Sequence, residues 1–595
     1  MSVKKRVQAL RQQMKKHNIS AYLVPSTDPH QSEYVPECWQ RRPWISGFTG
    51  SAGDVVVGAT EAGLWTDGRY FLQAEDELKG SGIQLYKMGL PGVPQIDEYL
   101  ARILKKGELL GVDPRTISLE RSKGIEKALE PTGARLKCID TNLVDEVWAD
   151  RPSIPRDPIR LLPARYAGET VSSKLGRLRT EMKNRGAKAH LLTTLDSIAW
   201  LYNIRGNDVD FNPVAISYAL IMEKKSLLFV ETEKVPKSVA AKLRRHITIR
   251  PYGEIQTALK DLAKKKTKIW VDGASVSRWV IDMLKGCDLV MEMSPIRVMQ
   301  AKKNDVQVAG MKAAHIRDGV AMVRFLHWLE REVTKGGLTE IRAADRLARF
   351  RSEEDLFQGL GFRTISGYAA HGAIIHYGPT PESDLPLRPK GIYLIDSGGQ
   401  YLDGTTDITR TILLGPRATA EQQDRFTRVL KGHIALASVR FPAGILGGRL
   451  DTLARLPLWD AGLDYNHGTG HGVGAYLSVH EGPQNIGIRT VGKPLEPGNT
   501  LSNEPGFYKE GEYGMRIENL ILVVEDKQRS KKGRSFLGFE TITMCPIDTR
   551  LVDVRLLDEG ERDWLNQYHK TVYKNLSGRL DLKDRAWLKK ACRTL

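Results

Sequence analysis

The sequence lacks the segments that would place it in a membrane or outside the cell. None of its apolar runs approaches the ~18 residues of a membrane-spanning helix, and residues 213–222 are about the longest. The first residues, MSVKKRVQALRQQMKKHN, have no apolar core of the kind found in secretory signals. We therefore expect a cytoplasmic protein that has no membrane partner.

Cysteine is scarce, and its distribution indicates a reducing compartment. The five cysteines are widely spaced and form no CxxC motif: Cys38, Cys138, Cys287, Cys545 and Cys592. An odd, scattered set in a chain without a secretory signal favours reduced thiols. We expect them to be small buried or half-buried side chains.

Aromatic residues are also few, at 7% of the chain, and they do not alternate with basic residues as stacking platforms for nucleic acid do. The net charge of +18, from 89 basic and 71 acidic residues, is spread thinly. Short basic runs such as 264–266 and 527–534 are typical of a solvated surface. No nucleic-acid partner is expected.

An internal repeat organises the first half of the chain. LRQQMKKHNISAYLV (10–24) matches LRTEMKNRGAKAHLL (178–192), with Leu10 and Leu178 as equivalent positions. Each segment predicts an amphipathic helix followed by a buried strand, and in the first helix Val7, Leu10 and Met14 share one face. The long repeat period favours two related α/β domains over a solenoid.

At 595 residues the chain is too long for one core. Turn-forming, charged stretches at 150–163 and 294–305 are candidate linkers. After them, a helical pattern from Asp305 to Val333 is followed by strands and glycine-rich turns, which predicts an α+β third domain. The predicted domains are residues 1–155, 156–302 and 303–595.

Five residues in the last third carry the strongest functional signal: Asp396, Asp407, His471, Glu504 and Glu518. If they meet, each ionised carboxylate raises the pKa of its neighbours unless a cation lies between them. Two divalent metal ions would remove this conflict, and they would also activate water and polarise a carbonyl.

The spacing of the two aspartates predicts that they are neighbours. Asp396 ends the apolar strand YLID, and Asp407 begins the strand DITRTILL after a turn-rich segment. In a hairpin centred near Tyr401–Leu402 they would lie directly opposite, with Cβ atoms ~5 Å apart. Either aspartate could instead be a turn residue, a role that Asp403 fits better.

The other three residues sit in segments suited to ligand binding. Glycines around His471 in HGTGHGVG let the backbone approach a ligand closely, and imidazole binds manganese, zinc or cobalt. Glu504 precedes Pro-Gly at a strand end. Glu518 lies in an apolar strand, where a metal or Arg516 would have to compensate its charge. Taken alone, each glutamate could equally belong to a salt bridge.

These segments resemble the pita-bread metallopeptidase family, which includes methionine aminopeptidase, prolidase and aminopeptidase P. DSGGQYLDGTTDITRT, HGTGHGVG, NEPG and RIEN match the ligand motifs of that family in order and spacing. The resemblance implies that the five residues bind two metal ions, with Asp407 and Glu518 bridging both. Manganese is the family expectation, and an oxygen-rich set with one imidazole suits it, although zinc or cobalt can occupy such sites.

The N-terminal two-thirds extends the resemblance to nearly the whole chain. PSTDPHQSEY, SGFTGSAG and WTDGRYFLQA are similar to the three-domain aminopeptidase P branch of the family. That branch carries two related creatinase-like α/β domains before the pita-bread catalytic domain, which agrees with the repeat. It also suggests a homodimer.

The resemblance implies hydrolysis of the Xaa–Pro bond at the N-terminus of peptide substrates. A hydroxide bridging the two metals would be the nucleophile, with Glu504 as general base and then acid. His376 and His480 would hydrogen-bond the scissile carbonyl and move protons. His467 and Arg516 are further candidates for substrate binding.

Two other functions remain open at this stage. A prolidase would cleave only Xaa–Pro dipeptides, although that form needs no second repeat domain. A non-enzymatic binding module with this fold would have lost ligand residues, whereas all five are present here. Comparing a dipeptide with a tripeptide tests the first alternative, and metal analysis tests the second.

Overall fold

The computed structural model describes residues 1–531 and 533–595. Lys532, which belongs to the basic run 527–534, lies outside the described residues. Across the described part of the chain, no helix is both long and apolar enough to cross a membrane. All five cysteines are free, and Cys138 is exposed, so the expectation of burial is wrong for that residue.

The chain folds into two compact units. The first unit contains Met1–Leu162 and Glu169–Ile296, and the second contains Pro163–Gly168 and Arg297–Leu595. Both copies of the predicted repeat therefore lie in one unit. The predicted domain boundaries after residues 155 and 302 stay predictions.

The α-helices and β-strands have the following bounds. The α-helices are α1 (Val3–Lys16), α2 (Arg41–Ser46), α3 (Phe71–Glu77), α4 (Ile96–Ile103), α5 (Leu119–Leu129), α6 (Ala164–Ala167), α7 (Val171–Asn184), α8 (Leu195–Tyr202), α9 (Lys237–Leu243), α10 (Ile255–Lys264), α11 (Arg278–Met283), α12 (Pro295–Ala301), α13 (Asp305–Glu332), α14 (Glu340–Ser352), α15 (Ala420–Ser438), α16 (Asp451–Trp459), α17 (Glu559–Leu576) and α18 (Leu582–Ala591). The strands are β1 (Ala21–Val24), β2 (Asp54–Gly58), β3 (Ala62–Thr66), β4 (Gln84–Lys87), β5 (Leu109–Val112), β6 (Arg135–Cys138), β7 (Arg160–Leu161), β8 (Ala189–Leu192), β9 (Ile204–Arg205), β10 (Tyr218–Met222), β11 (Ser226–Phe229), β12 (Thr248–Arg250), β13 (Lys268–Val271), β14 (Asp288–Met291), β15 (Phe357–Leu360), β16 (Ile365–Tyr368), β17 (Ile392–Ser397), β18 (Gly399–Tyr401), β19 (Gly404–Thr405), β20 (Ile408–Leu413), β21 (Arg440–Pro442), β22 (Gly470–Gly472), β23 (Glu481–Ile486), β24 (Thr500–Asn503), β25 (Gly506–Lys509), β26 (Tyr513–Arg516), β27 (Asn519–Glu525) and β28 (Phe536–Thr541).

The first unit contains two six-stranded sheets with one topology. Their strand orders are β4-β3-β2-β1-β5-β6 and β12-β11-β10-β8-β13-β14. In both sheets the central strand pairs antiparallel with one neighbour and parallel with the other: β1 with β2 and β5, and β8 with β10 and β13. The two sheets confirm the duplication predicted from the repeat.

The helices of the repeat bury equivalent faces. The buried residues that define the face of α1 are Val7, Leu10 and Met14. The equivalent residues of α7 are Leu175, Leu178 and Met182. In each copy a fully buried strand follows, so the predicted helix–strand pattern is confirmed.

In the second unit, α13 covers the predicted helix almost residue for residue. It begins at Asp305 because the Asn304 side chain accepts from the Gln307 amide while the Gln307 side chain caps Asn304 in return. His315 is buried inside this helix, and its Nδ1 lies 2.7 Å from the Met311 carbonyl oxygen, so it is a packing residue.

Two antiparallel sheets of the second unit position the site. One has the order β16-β17-β20, and the other has the order β21-β28-β27-β24-β22-β23. The hairpin from β17 to β20 differs from its predicted register: Asp396 pairs with Thr409, not with Asp407. The cause is a two-residue turn, Leu402–Asp403, which centres the hairpin one position later. Asp407 is thus a diagonal neighbour on the same face, where long side chains still meet.

The duplicated core makes a paired stability test possible. Leu10→Ala and Leu178→Ala each remove a fully buried side chain from an equivalent position, so each should cost about 2–5 kcal/mol. Both variants should lower the apparent melting temperature in calorimetry, whereas Gln8→Ala, at an exposed position of α1, should not. An unchanged melting temperature in either leucine variant would contradict the assignment of these faces to the core.

Candidate metal centre

Strand ends bring the five predicted ligand residues to one place. Asp396 lies in β17, Asp407 lies between β19 and β20, and His471 lies in β22. Glu504 directly follows β24, and Glu518 directly precedes β27. Because β24 and β27 pair with Asn503 opposite Asn519, the two glutamates leave the sheet at the same end.

The ligand atoms lie at distances that suit a shared cation. One ligand atom each from Asp407, His471 and Glu518 lie within 4.8 Å of one another. His471 Nε2 is 3.5 Å from both Asp407 Oδ2 and Glu504 Oε1. This is longer than a good hydrogen bond, but it fits ligands that share an ion at about 2.1 Å from each atom.

The tautomer of His471 also suits metal binding. Its Nδ1 is 3.0 Å from the Gly472 carbonyl oxygen, which can only accept, so Nδ1 carries the proton. The lone pair of Nε2 then faces the carboxylates. A histidine whose other nitrogen is held by a backbone carbonyl is the usual form of a histidine ligand.

Arg516 is a buried cation that directly contacts this acidic group. Its Nη2 donates to Asp396 Oδ2 at 2.7 Å, and its Nη1 donates to the Tyr508 hydroxyl at 2.6 Å. Its Nε donates to Thr409 Oγ1 at 3.0 Å. Since the guanidinium is buried and bonded to protein groups, the geometry favours a supporting role for Arg516 over direct substrate contact.

One guanidinium does not balance four carboxylates. Burial, and then the Glu518, Asp396 and Glu504 carboxylates, raise the pKa of Asp407 well above its usual range. Burial and the same like-charge repulsion raise the pKa of Glu518 well above its usual range. Burial raises the pKa of Glu504 to about 7, although Arg516 acts against that increase. Added divalent cations would relieve this conflict.

A buried oxygen of Asp396 is likewise suited to binding a cation. Asp396 Oδ1 has no hydrogen-bond partner within residues 1–531 and 533–595. A buried carboxylate oxygen without a donor is costly unless an ion binds it. The donor set, four carboxylates and one imidazole, therefore fits hard or borderline divalent metals.

Two hydroxyl groups that the sequence reasoning missed hold the carboxylates. Thr409 Oγ1 donates to Glu518 Oε2 at 2.7 Å, and Ser502 Oγ donates to Glu504 Oε1 at 3.0 Å. Thr409 follows Asp407 by two residues and so shares its strand face, a signal that was available in the sequence. Ser502 stands two residues before Glu504, so the same spacing was available for it.

Two of the predicted substrate histidines, His480 and His467, connect to residues of the ligand cluster. The His480 ring lies 4.3 Å from the His471 ring between centroids, with the planes at 77°. His467 Nε2 is 2.9 Å from the Tyr508 hydroxyl, which itself accepts from Arg516. His467 is thus connected to Asp396 through three hydrogen bonds, by way of Tyr508 and Arg516.

His376 lies in the loop that follows β16, and a buried acid holds this loop. The Glu340 carboxylate at the start of α14 is fully buried and accepts from the Tyr368 amide at 2.7 Å and the Tyr377 hydroxyl at 3.0 Å. His371 Nδ1 lies 3.0 Å from Glu340 Oε2. Glu340 therefore fixes both flanks of His376, and no motif in the sequence pointed to it.

A divalent cation should stabilise this centre measurably. Adding Mn²⁺ to metal-free protein should raise the melting temperature, because a cation at 100 times its Kd stabilises the folded state by about 2.7 kcal/mol. Asp407→Asn should lose most of that increase. Asp403→Asn, in the turn and paired with Arg317 outside the cluster, should keep it. An equal increase in the wild type and in Asp407→Asn would contradict the site.

Nearly the whole chain matches known protein families. Residues 6–147 and 150–307 each match the creatinase/prolidase N-terminal domain. Residues 309–525 match metallopeptidase family M24, and residues 535–595 match the C-terminal region of peptidase M24.

Individual proteins are similar over the same extent. A probable Xaa-Pro aminopeptidase P of Laccaria bicolor is 43% identical over 99% of this chain and 93% of its own length. The X-prolyl aminopeptidase of Caenorhabditis elegans, described as a cytosolic enzyme with a di-nuclear active site, superposes with a TM-score of 0.97 at 37% identity over 100% of both chains.

A more distant structure shares the fold alone. The Xaa-Pro dipeptidase of Bacillus anthracis has a TM-score of 0.51 at 21% identity and covers 64% of this chain and 99% of its own. The predicted architecture, creatinase-like domains before a pita-bread domain, is confirmed by these matches. The chain therefore belongs to metallopeptidase family M24, in the group of the Xaa-Pro aminopeptidases P.

Proposed function

We propose that this chain is a metal-dependent aminopeptidase that removes the first residue from peptides with proline in second position. The observation that carries the proposal is the convergence of Asp396, Asp407, His471, Glu504 and Glu518 at one place. They converge within a chain similar over nearly its full length to proteins named for this activity.

The five residues would hold two divalent cations, as the di-nuclear description of the Caenorhabditis elegans enzyme also suggests. Asp407 and Glu518, whose ligand atoms lie within 4.8 Å of each other and of His471, would help to hold them, and Mn²⁺ is the proposed metal. The chemistry that two such cations supply when bound is activation of water and polarisation of the peptide carbonyl.

Glu504 is the proposed proton carrier. It accepts a proton from the attacking water and returns it to the proline nitrogen as that group leaves. Its carboxylate faces His471 on one side and is held by Ser502, so its position is fixed before the substrate arrives.

The histidines are the proposed contacts to the peptide. His480 and His376 would donate to the scissile carbonyl and stabilise the charge that develops on it. His467 is held by Tyr508 and is a further candidate for substrate binding. The free α-amine of the substrate would lie against the acidic residues, which restricts cleavage to the chain end.

The activity is tested with a proline-containing tripeptide, a matched dipeptide and Glu504→Gln. Metal-loaded protein should cleave Xaa–Pro–Xaa and lose activity with chelator. Glu504→Gln should fold normally and lose about 10²-fold or more in kcat, as expected on removing a general base. Bound metal is measured in each sample to separate loss of the base from loss of the metal.

Glu510→Gln, in the exposed turn after β25, is the matched control and should keep full activity. Near-normal turnover by Glu504→Gln would overturn the role of that residue. Cleavage of the dipeptide alone would make the chain an Xaa–Pro dipeptidase. No activity with bound metal would favour a binding module.

We also propose a cytoplasmic location, by extension from the cytosolic description of the Caenorhabditis elegans enzyme. The proposed assembly is a homodimer. On α16, Leu456 and Trp459 lie one helical turn apart and are 50% and 44% exposed, so they form a small apolar patch on the surface. We assign the dimer contact to this patch.

The dimer proposal predicts a change in mass. Light scattering should give twice the chain mass for the wild type and the chain mass for the double variant Leu456→Glu/Trp459→Glu. Val554→Glu, at an exposed apolar position elsewhere, should remain dimeric. A monomeric wild type, or a dimeric double variant, would refute the proposal.

A further inference from the structure

A fully buried ion pair lies next to the proposed substrate histidine. The Lys303 ammonium, just before α13, contacts the Glu481 carboxylate, and both side chains are 1% exposed. Gln300 Nε2 donates to Glu481 Oε2 at 3.1 Å. Lys303 Nζ also donates to the Gln300 carbonyl at 3.2 Å. The segment before α13 therefore binds the Glu481 carboxylate through the side chains of Gln300 and Lys303.

Glu481 is the chain neighbour of His480 and lies opposite the ligand strand. It begins β23 and pairs with Gly472, the residue after His471. The strands approach so closely that a Cβ at Gly472 would lie 2.1 Å from the Glu481 carbonyl oxygen. Only glycine fits there. Fixing Glu481 therefore fixes the backbone from which His480 reaches the His471 ring.

Stability alone does not account for such a pair. Removing two charges from water costs several kcal/mol per ion, and apolar replacements of buried pairs are often neutral or stabilising. A buried pair does impose one geometry, because either partner left alone is strongly unfavourable. Because Glu481 is the chain neighbour of His480, the geometry that this pair imposes is that of the backbone carrying His480.

We propose that the Lys303–Glu481 pair positions His480 for the peptide carbonyl. This inference rests on the proposed function, since it assigns a role within that reaction. Lys303 and Glu481 act through His480, and neither needs to touch the substrate. The segment before the long helix of the second unit is thereby part of the active centre.

The central test compares Lys303→Met with a matched variant, Lys234→Met. Lys234 is equally buried against Asp208, with both side chains 0% exposed, but it lies in the first unit. At a temperature where both variants are folded, Lys303→Met should lower kcat about 10- to 100-fold at unchanged metal content, as small misplacements do. Lys234→Met should lower the melting temperature and leave kcat unchanged.

A double-mutant cycle identifies His480 as the intermediary. In a His480→Ala background, Lys303→Met should cost little further activity, since the group that it positions is gone. Additive losses would overturn the inference. So would a wild-type kcat in Lys303→Met.

A crystal structure of Lys303→Met tests this inference separately from the proposed function, because it shows the position of the His480 ring without an activity assay. We expect the His480 ring to leave its contact with His471 whether or not the wild type cleaves Xaa–Pro–Xaa. An unmoved ring would overturn the inference, whereas an inactive wild type would overturn only the function. Should Lys303→Met not fold, Lys303→Met/Glu481→Gln leaves no unpaired buried charge and should still show the lower kcat and displaced ring. A wild-type kcat in that double variant would also refute the positioning role.

Discussion

Repulsion among four carboxylates, three of them buried and Glu504 half-buried, is the constraint on which the second unit depends. Asp396, Asp407, Glu504 and Glu518 meet where burial opposes ionisation, and Arg516 offsets only part of the negative charge. Such a centre persists only if rigid elements hold it together. Here the residues sit in strands, or directly beside strand ends, in two antiparallel sheets. The cost of folding the acids together is what makes the centre bind cations strongly.

Buried polar groups connect this centre to distant parts of the unit. Arg410, beside Thr409, donates to the Glu518 carbonyl at 2.7 Å, the Cys545 carbonyl at 2.8 Å and the Tyr568 hydroxyl at 3.0 Å. The C-terminal region is thereby bonded to the backbone of a proposed ligand. Glu340 holds the loop of His376 in a similar way. Each group contributes a fixed geometry more than net stability.

The ligand motifs and the duplication could be predicted from the sequence, because both depend on the local order of residues along the chain. The predicted register of the hairpin was wrong by two positions. A two-residue turn and a longer turn are hard to distinguish in a segment with so many turn-forming residues. The contacts of Arg516 with Asp396 and of Lys303 with Glu481 span more than a hundred residues. Such partners are set by how sheets and segments pack, and no single-sequence pattern reports them.

The contacts of Gln300 and Lys303 with Glu481 also bear on which segments a catalytic domain of this type must keep together. The part of the chain that matches family M24 begins at residue 309, after both of these residues. A catalytic domain that recombined at that border would leave behind the counter-charge of an acid buried beside the proposed substrate histidine. If the pair positions His480 as proposed, the segment needed for catalysis is longer than the part that matches family M24.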